Sequence, residues 1–167
     1  SRRGFQWIKR TFDILGASIL LVILSPLMAY VALRIWREDG RPVIFHQPRL
    51  SKGGGEFCFL KFRSMVTDAD NILARWRDAN SPQWQEYYKN NFKLRKDPRV
   101  LGVGSWIRSL SIDELPQLIN VIRGEMSLVG PRPLLARELP EYGNSINYYR
   151  QVRPGITGLW QISGRSR

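Results

Sequence analysis

The longest apolar stretch of the chain is a run without a charged residue from Ile14 to Leu33. Its twenty residues are enough for an α-helix to cross the hydrocarbon layer of a membrane. The run is long for a secretory signal peptide, and no small-residue cleavage site follows it. The pattern predicts a membrane helix with Asp13 at its entry, where a carboxylate favours the positive end of the helix dipole.

Both flanks of this run are basic. The residues are Arg2, Arg3, Lys9 and Arg10 before it, and Arg34, Arg37 and Arg41 after it. Positive flanks prefer the cytoplasmic side, so both ends of the helix are drawn to the same side of the membrane. A helix that crosses once cannot place both ends there.

The dipeptide Ser25-Pro26 lies in the middle of the run. Pro26 has no N–H to donate, and its ring pushes on the carbonyl of Val22, so a kink is expected. The Ser25 hydroxyl can bond to a carbonyl that loses its partner. Together with the basic flanks, this predicts a re-entrant helix that bends at Ser25-Pro26 and returns to the side it came from. A straight spanning helix with a tolerated proline is the alternative.

Alternating residues after the helix predict a small β-hairpin. Val43 to Gln47 and Glu56 to Arg63 are the strands, and the glycine-rich stretch from Ser51 to Gly55 is the loop. Lys61 and Arg63 share a face of the second strand because side chains repeat every two residues. They form a candidate anion site, with a solvated basic face as the alternative.

The stretch from Ala69 to Lys93 has helical periodicity, which Ser81-Pro82 interrupts. Its aromatic and basic residues suit helices that rest on a bilayer surface. They also suit nucleic-acid stacking or ordinary core packing, and the pattern does not choose among the three.

A pair of carboxylates, Asp113 and Glu114, stands at a predicted helix start. Ser111 and Glu114 have the spacing of a capping box, Pro116 fits the first turn, and the helix is expected to end near Gly124. Free backbone N–H groups and the helix dipole favour negative charge there, so Asp113 can attack phosphorus or bind magnesium. The alternative is that both carboxylates only cap the helix.

Two arginines are candidate phosphate ligands. Arg108 lies just upstream of the acidic pair. Arg132 stands between Pro131 and Pro133, so its backbone has little freedom and its guanidinium is pre-organised for bidentate contact. A second constrained basic loop follows at Arg153 to Gly155 and continues to Gln161.

The composition of the chain limits the classes of partner that it can bind. The chain has 167 residues, with 26 Lys and Arg against 14 Asp and Glu, a formal charge of +12. Such a chain attracts nucleic acid, anionic lipid or phosphorylated substrates. One cysteine and one histidine exclude a disulfide framework and a Cys/His metal cluster within one chain. We expect a fragment that forms one catalytic domain over residues 1–167, with the re-entrant helix in residues 1–40 and a cytosol-facing catalytic part in residues 41–167.

The order of several motifs resembles that of the bacterial monotopic phosphoglycosyl transferases, and the resemblance covers nearly all of the chain. The larger insert before the acidic pair is similar to that of the sugar-phosphate transferases that initiate O-antigen, capsule or exopolysaccharide synthesis. The motifs are KRTFD from Lys9 to Asp13, the apolar run with Ser25-Pro26, KFRSM from Lys61 to Met65, RSLSIDELPQLINV from Arg108 to Val121, GEMSLVGPRP from Gly124 to Pro133, and VRPGITGLWQISGR from Val152 to Arg165.

The resemblance implies a transfer of sugar-1-phosphate from a UDP-sugar to undecaprenyl phosphate, with galactose and glucose as the first sugars to test. It makes Asp113 the nucleophile that forms a covalent phospho-sugar intermediate, with Glu114 as its partner. Mg²⁺ would offset charge on the diphosphate, with Asp113 as one ligand. Arg108 and Arg132 would hold phosphates, with Lys61 and Arg63 as weaker candidates.

The expected fold is α+β and mostly helical, with the kinked re-entrant helix, the small hairpin and interfacial amphipathic helices. The expected location is the bacterial inner membrane, with the active site facing the cytoplasm. Membrane lipid and a second copy in a homodimer are the expected further partners, and nucleic acid is not one. The rival from another class is a basic, membrane-tethered protein that binds anionic lipid or nucleic acid.

Overall fold

The computed structural model describes residues 2–90 and 92–158. They form two compact units. The first unit contains residues 2–29, 44–61 and 114–158, and the second contains residues 30–43, 62–90 and 92–113. In chain order, the elements are α1 (Arg2–Asp39), β1 (Ile44–Leu50), β2 (Glu56–Phe62), α2 (Ala69–Asp78), α3 (Pro82–Lys89), α4 (Gly102–Ser109), α5 (Gln117–Arg123), β3 (Ser127–Val129), α6 (Leu139–Tyr142), α7 (Ile146–Tyr149) and β4 (Gly155–Thr157).

Helix α1 is far longer than the apolar run and contains Pro26 in its interior. Its 38 residues correspond to about 57 Å at the usual helical rise. The Ser25 hydroxyl donates a hydrogen bond to the Val22 carbonyl at 2.8 Å, which confirms the predicted partner for that carbonyl. The bend at this position stays a prediction.

The surface of α1 is apolar over much of its length. Nine of its described large apolar side chains are more than half exposed: Phe5, Trp7, Ile8, Phe12, Leu15, Ile19, Val22, Ile23 and Trp36. Among the described residues, this is the one helix with the length and composition to cross a membrane. A continuous apolar surface of this kind is rarely left in water.

The predicted hairpin is confirmed, with β1 and β2 as neighbours in a two-stranded sheet. In the first unit its inner residues pack with α1 and α5. The buried members of this core are Ala17, Phe57, Phe59, Leu118, Val121 and Met126. Asn120 of α5 is fully buried, donates to the Cys58 carbonyl at 2.7 Å and accepts from the Leu60 N–H at 3.1 Å. Its amide therefore pairs with the backbone of β2 as a neighbouring strand would.

A second sheet was not predicted. Strands β3 and β4 run parallel, with Ser127 opposite Gly155 and Val129 opposite Thr157. Each strand has three residues, too few for an alternating pattern to be recognisable in the sequence. The Gly130 N–H donates to the Thr157 carbonyl at 2.9 Å, which continues the pairing into the Gly130-Pro131 segment.

The predicted break at Ser81-Pro82 is confirmed in the second unit. Helix α2 ends at Asp78, and the Ser81 hydroxyl accepts from the Trp84 N–H at 3.2 Å as the N-cap of α3. Helix α4 has no N-cap side chain of its own, since Leu101 precedes it. Glu38, near the end of α1, accepts from the Gly102 and Val103 N–H groups instead. A carboxylate at this end of a helix is favoured by the free N–H groups.

The prediction that an α-helix begins directly after Ser111 is wrong, because a 3₁₀ turn comes first. Only Leu110 and Ser111 separate α4 from a 3₁₀ turn at Ile112–Glu114, so the chain must change direction sharply. Ser111 does so with φ +57°, whereas an N-cap residue usually has an extended backbone. Helix α5 begins after Pro116 and ends, as predicted, at Gly124, whose φ of +87° suits a glycine.

Candidate active site

The acidic pair lies in the 3₁₀ turn Ile112–Glu114, between α4 and α5. Asp113 is 5% exposed, and Glu114 is half-buried. Carboxylates that only cap a helix are normally solvated, because burial of an ion is costly unless other groups compensate for it. Asp113 is therefore placed differently from the exposed cap that the sequence allowed as the alternative.

The candidate site residues fall in both units. Arg63, Arg108 and Asp113 lie in the second unit, and Lys61, Glu114 and Arg132 lie in the first. Arg108 is exposed in the last turn of α4, five positions before Asp113 in the chain. Lys61 is half-buried in β2. Arg108 and Asp113 are thus separated only by the short connection that follows α4.

Arg63 is a structural residue of the second unit. It is 6% exposed, forms an ion pair with Asp39, and donates to the carbonyls of Asp39, Gly40, Pro42 and Met65. These bonds use its whole guanidinium group, which has five N–H donors. The Asp39 carboxylate also accepts from the Thr67 N–H at 2.8 Å. Although burial raises the pKa of Asp39, the hydrogen bonds from Arg63 and Thr67 outweigh it and hold that pKa below its usual value. We therefore favour the fold, rather than phosphate binding, as the role of Arg63.

Arg132 is held in a constrained segment of the first unit. The Pro131 carbonyl accepts from the Gly155 N–H at 2.8 Å, and the Pro133 carbonyl accepts from Arg49 Nη1 at 3.0 Å. The Arg132 side chain is 47% exposed, and its Nη2 lies 3.3 Å from Glu138 Oε1. The sequence analysis did not identify this partner, which lies in the 3₁₀ turn Ala136–Glu138. Backbone anchors on both sides position Arg132 while its guanidinium keeps access to solvent.

Asp13 is a buried residue whose surroundings the sequence analysis missed. The helix begins at Arg2, so Asp13 is in the interior of α1 and not at its entry. Its carboxylate accepts from Ser127 Oγ at 2.8 Å, from the Leu128 N–H at 3.0 Å and from Lys9 Nζ at 3.2 Å. The spacing of Lys9 and Asp13 was a visible signal for their ion pair. The sequence contained no signal for the hydrogen bonds from Asp13 to β3, which lies more than 110 positions away.

A cavity of about 560 Å³ in the first unit lies beside this cluster. Arg10 donates to the Val121 and Ile122 carbonyls, and Arg153 donates to the Gly124 carbonyl at 2.7 Å. Both arginines thus satisfy carbonyls at the C-terminal end of α5. Burial, and then the charge of Arg153, lower the pKa of Arg10. The remaining part of the predicted basic loop, from Leu159 onward, lies outside the described residues.

A cleft of about 770 Å³ opens in the second unit, and Arg108 contributes to its wall. Asp97 accepts from Arg99 Nε at 2.9 Å and Nη2 at 2.6 Å. The Arg99 guanidinium also lies 5.2 Å from the centre of the Trp76 ring and 4.9 Å from that of Tyr87. Although burial raises the pKa of Asp97, the Arg99 hydrogen bonds outweigh it and hold that pKa below its usual value. The pair fixes residues 97–99 against α2 and α3.

The donor set suits magnesium better than a transition metal. Among the described residues there is no cluster of three or more His, Cys, Asp or Glu side chains placed to hold a metal ion. Mg²⁺ needs no such cage, because it is usually bound by one or two carboxylates together with water and substrate phosphates. The Asp113 carboxylate fits that requirement as a single protein ligand.

The sequence over residues 4–167 matches the family described as bacterial sugar transferase. The match covers nearly the whole chain, so this protein belongs to that family.

Individual relatives agree with this assignment. The chain is 45% identical over 166 residues to the undecaprenyl-phosphate galactose phosphotransferase of Salmonella typhimurium, covering 99% of this chain and 34% of the relative. It is 44% identical to the undecaprenyl-phosphate glucose phosphotransferase of Komagataeibacter xylinus, over 93% of this chain and 28% of the relative. It is 46% identical to the exopolysaccharide production protein ExoY of Sinorhizobium fredii, over 95% of this chain and 70% of the relative. The chain spans about a third of the length of the first two.

Proposed function

We propose that this chain is the catalytic part of a phosphotransferase that moves sugar-1-phosphate from a UDP-sugar to undecaprenyl phosphate. The names of the relatives support the lipid acceptor and the phosphotransfer. The observation that carries the proposal is the buried Asp113 in the turn between α4 and α5. The product would enter O-antigen, capsule or exopolysaccharide synthesis, and galactose and glucose are the sugars to test first.

The proposed reaction has two steps. A carboxylate oxygen of Asp113 attacks the phosphorus atom that bears the sugar, and the bond from that phosphorus to the oxygen of UMP breaks. UMP leaves, and the phospho-sugar stays on Asp113 as an acyl phosphate. A phosphate oxygen of the lipid then attacks the same phosphorus atom, and the Asp113 carboxylate is released. A carboxylate nucleophile thereby divides one transfer into two in-line displacements.

The surroundings of Asp113 suit this role. Burial limits the motion of the side chain and excludes water that would hydrolyse an acyl phosphate. Glu114 follows it in the same turn and is the proposed partner of Asp113 in the acidic pair. Arg108, Arg132 and Lys61 are the proposed phosphate contacts, because exposed or half-exposed cations can reach a substrate. Mg²⁺ held by Asp113 and substrate oxygens would offset the negative charge of the diphosphate.

The membrane part of the proposal rests on α1. Its exposed apolar side chains require apolar surroundings, and the Ser25 bond to Val22 supports a proline break at mid-helix. We propose that α1 enters one leaflet of the bacterial inner membrane, bends at Ser25-Pro26 and returns, with the active site on the cytoplasmic side. Helices α2 and α3 would lie at the membrane surface, and association into a homodimer is part of the same proposal.

Cysteine labelling tests the re-entrant topology. Single cysteines placed before Gly4 and after Arg41, in a chain with Cys58→Ser, are expected to react with a membrane-impermeant reagent from the same side of sealed vesicles. Cys58 needs removal because it is exposed. Labelling of the two positions from opposite sides would refute the re-entrant helix and favour a straight span.

Product analysis tests the activity. With a UDP-sugar and undecaprenyl phosphate, UMP release is expected to require the lipid for multiple turnovers. The phospho-sugar must be transferred from Asp113 to the lipid before the next UDP-sugar can react. Omission of the lipid is the control, and it should leave no more than about one UMP per chain. If the UDP-sugar is not consumed while RNA or anionic vesicles bind in a salt-sensitive manner, the chain is a basic binding protein instead.

A further inference from the structure

The cleft in the second unit has a strongly positive wall. Its volume of about 770 Å³ is in the range of small-molecule sites. Among the described residues that line it, one side chain is a carboxylate, Asp97, and it is already paired with Arg99. The other charged lining residues are Lys93, Arg95, Lys96 and Arg108, and all four are exposed. A concave wall with four cations beyond the paired Arg99 concentrates anions.

An aromatic platform stands at the same cleft. Phe92 is 58% exposed although it is one of the larger apolar side chains. Its ring meets the rings of Tyr87 and Tyr88 edge-on, with centroids 5.6 Å and 5.7 Å away. The Phe92 N–H donates to the Tyr87 carbonyl at 2.8 Å, and its φ is +61°. A bulky residue seldom adopts this left-handed backbone, and such strain tends to occur where a side chain is needed in one position.

We propose that this cleft binds the nucleoside diphosphate part of the donor, with the phosphates on Lys93, Lys96 and Arg108 and the base against Phe92. The assignment rests on the proposed function. A nucleoside diphosphate has an anionic diphosphate, which suits the cationic wall, and a flat base, which suits the aromatic rings. The lipid acceptor matches less well, because its long apolar tail requires an apolar groove. Arg108 lines the cleft and lies in the last turn of α4, five positions before Asp113 in the chain.

Binding of UDP to the whole chain in detergent tests this assignment, with calorimetry as the measurement. The double variant Lys93→Ala/Lys96→Ala is expected to weaken UDP binding at least about tenfold, because it removes two charge-assisted phosphate contacts. Phe92→Leu should weaken it severalfold, and Phe92→Tyr should restore it because stacking is kept. The matched control is Lys89→Ala, an exposed lysine of α3 that does not line the cleft.

Two further comparisons separate the possible outcomes. Inorganic pyrophosphate should respond to the lysine variant and not to Phe92→Leu, because it has charge and no base. In the full assay, the KM for the UDP-sugar should rise in both variants and the KM for the lipid should not. Equal UDP affinity in the wild type and all variants would overturn the cleft assignment and leave the proposed function intact. If the wild type binds no UDP, and vesicles of anionic phospholipid bind the wild type but not the lysine variant, the cleft assignment and the proposed function are both overturned.

Discussion

Asp113→Asn is expected to lower turnover by roughly a thousandfold or more, since removal of a covalent nucleophile usually costs at least that much. The amide is nearly isosteric with the carboxylate but cannot form the acyl phosphate. UMP release in the presence of undecaprenyl phosphate is the measurement. Mass spectrometry of the denatured protein should show the phospho-sugar adduct on the wild type when the lipid is omitted, and no adduct on the variant.

The matched control is Asp70→Asn, because Asp70 is an exposed carboxylate on α2 in the same unit. It should keep wild-type turnover, as surface changes of this kind have little effect. Glu114→Gln is expected to reduce turnover less than Asp113→Asn does and to leave the adduct detectable. Normal activity in Asp113→Asn, with the chain folded, would contradict the assignment of the nucleophile.

Asp13→Ala is expected to have the largest effect on stability, lowering the free energy of unfolding by about 3 kcal/mol. The change removes a carboxylate whose side chain is 8% exposed and leaves the Leu128 N–H without its acceptor, while the Ser127 hydroxyl keeps only the Val129 carbonyl as an acceptor. The ion pair with Lys9 adds little to this figure, since Lys9 is 40% exposed and solvent screens it. The midpoint of thermal unfolding in detergent is the measurement.

Thr11→Ala is the control for Asp13→Ala, because Thr11 is exposed on the same helix and bonds only to the Trp7 carbonyl. It should change the free energy of unfolding by no more than about 0.5 kcal/mol. The Asp13 variant should also lose activity at temperatures where the wild type is still folded. Equal unfolding midpoints for the wild type and the Asp13 variant would show that the contact with β3 is not important for the fold.

Features that depend on neighbouring residues were predictable. The apolar run, the bond of Ser25 to Val22, the hairpin, the break at Ser81-Pro82 and the glycine end of α5 all follow from side chains within a few positions of each other. The α-helix does not begin at Ser111, although the spacing of Ser111 and Glu114 matches a capping box. The short connection after α4 forces Ser111 into a left-handed backbone, and a local pattern of cap residues does not reveal this constraint.

The same reason decides which candidate site residues the sequence could name. Asp113, Glu114 and Arg132 could be named because carboxylates at a turn and an arginine between prolines are local patterns. The role of Arg63 could not be foreseen, because its partners Asp39, Gly40 and Pro42 are more than 20 positions away. The strand pattern predicted that Arg63 lies beside Lys61 on one face of the strand. In the structure the Arg63 guanidinium is buried and donates to carbonyls at and just after the end of α1. The cleft in the second unit has no local pattern either, since α3, residues 92–100 and α4 all contribute to it.

The order of residues along the chain was sufficient to predict the apolar helix, the hairpin, the acidic pair and the resemblance to the sugar transferases. Only the folded chain shows that Asp113 is buried, that Asp13 ties α1 to β3, and that the Arg63 guanidinium is buried and hydrogen-bonded. The fold also shows that a pair of three-residue strands anchors the segment of Arg132. Burial and hydrogen bonding depend on which distant segments meet, and charge or hydrophobicity at one position does not specify its partner 20 or 110 positions away.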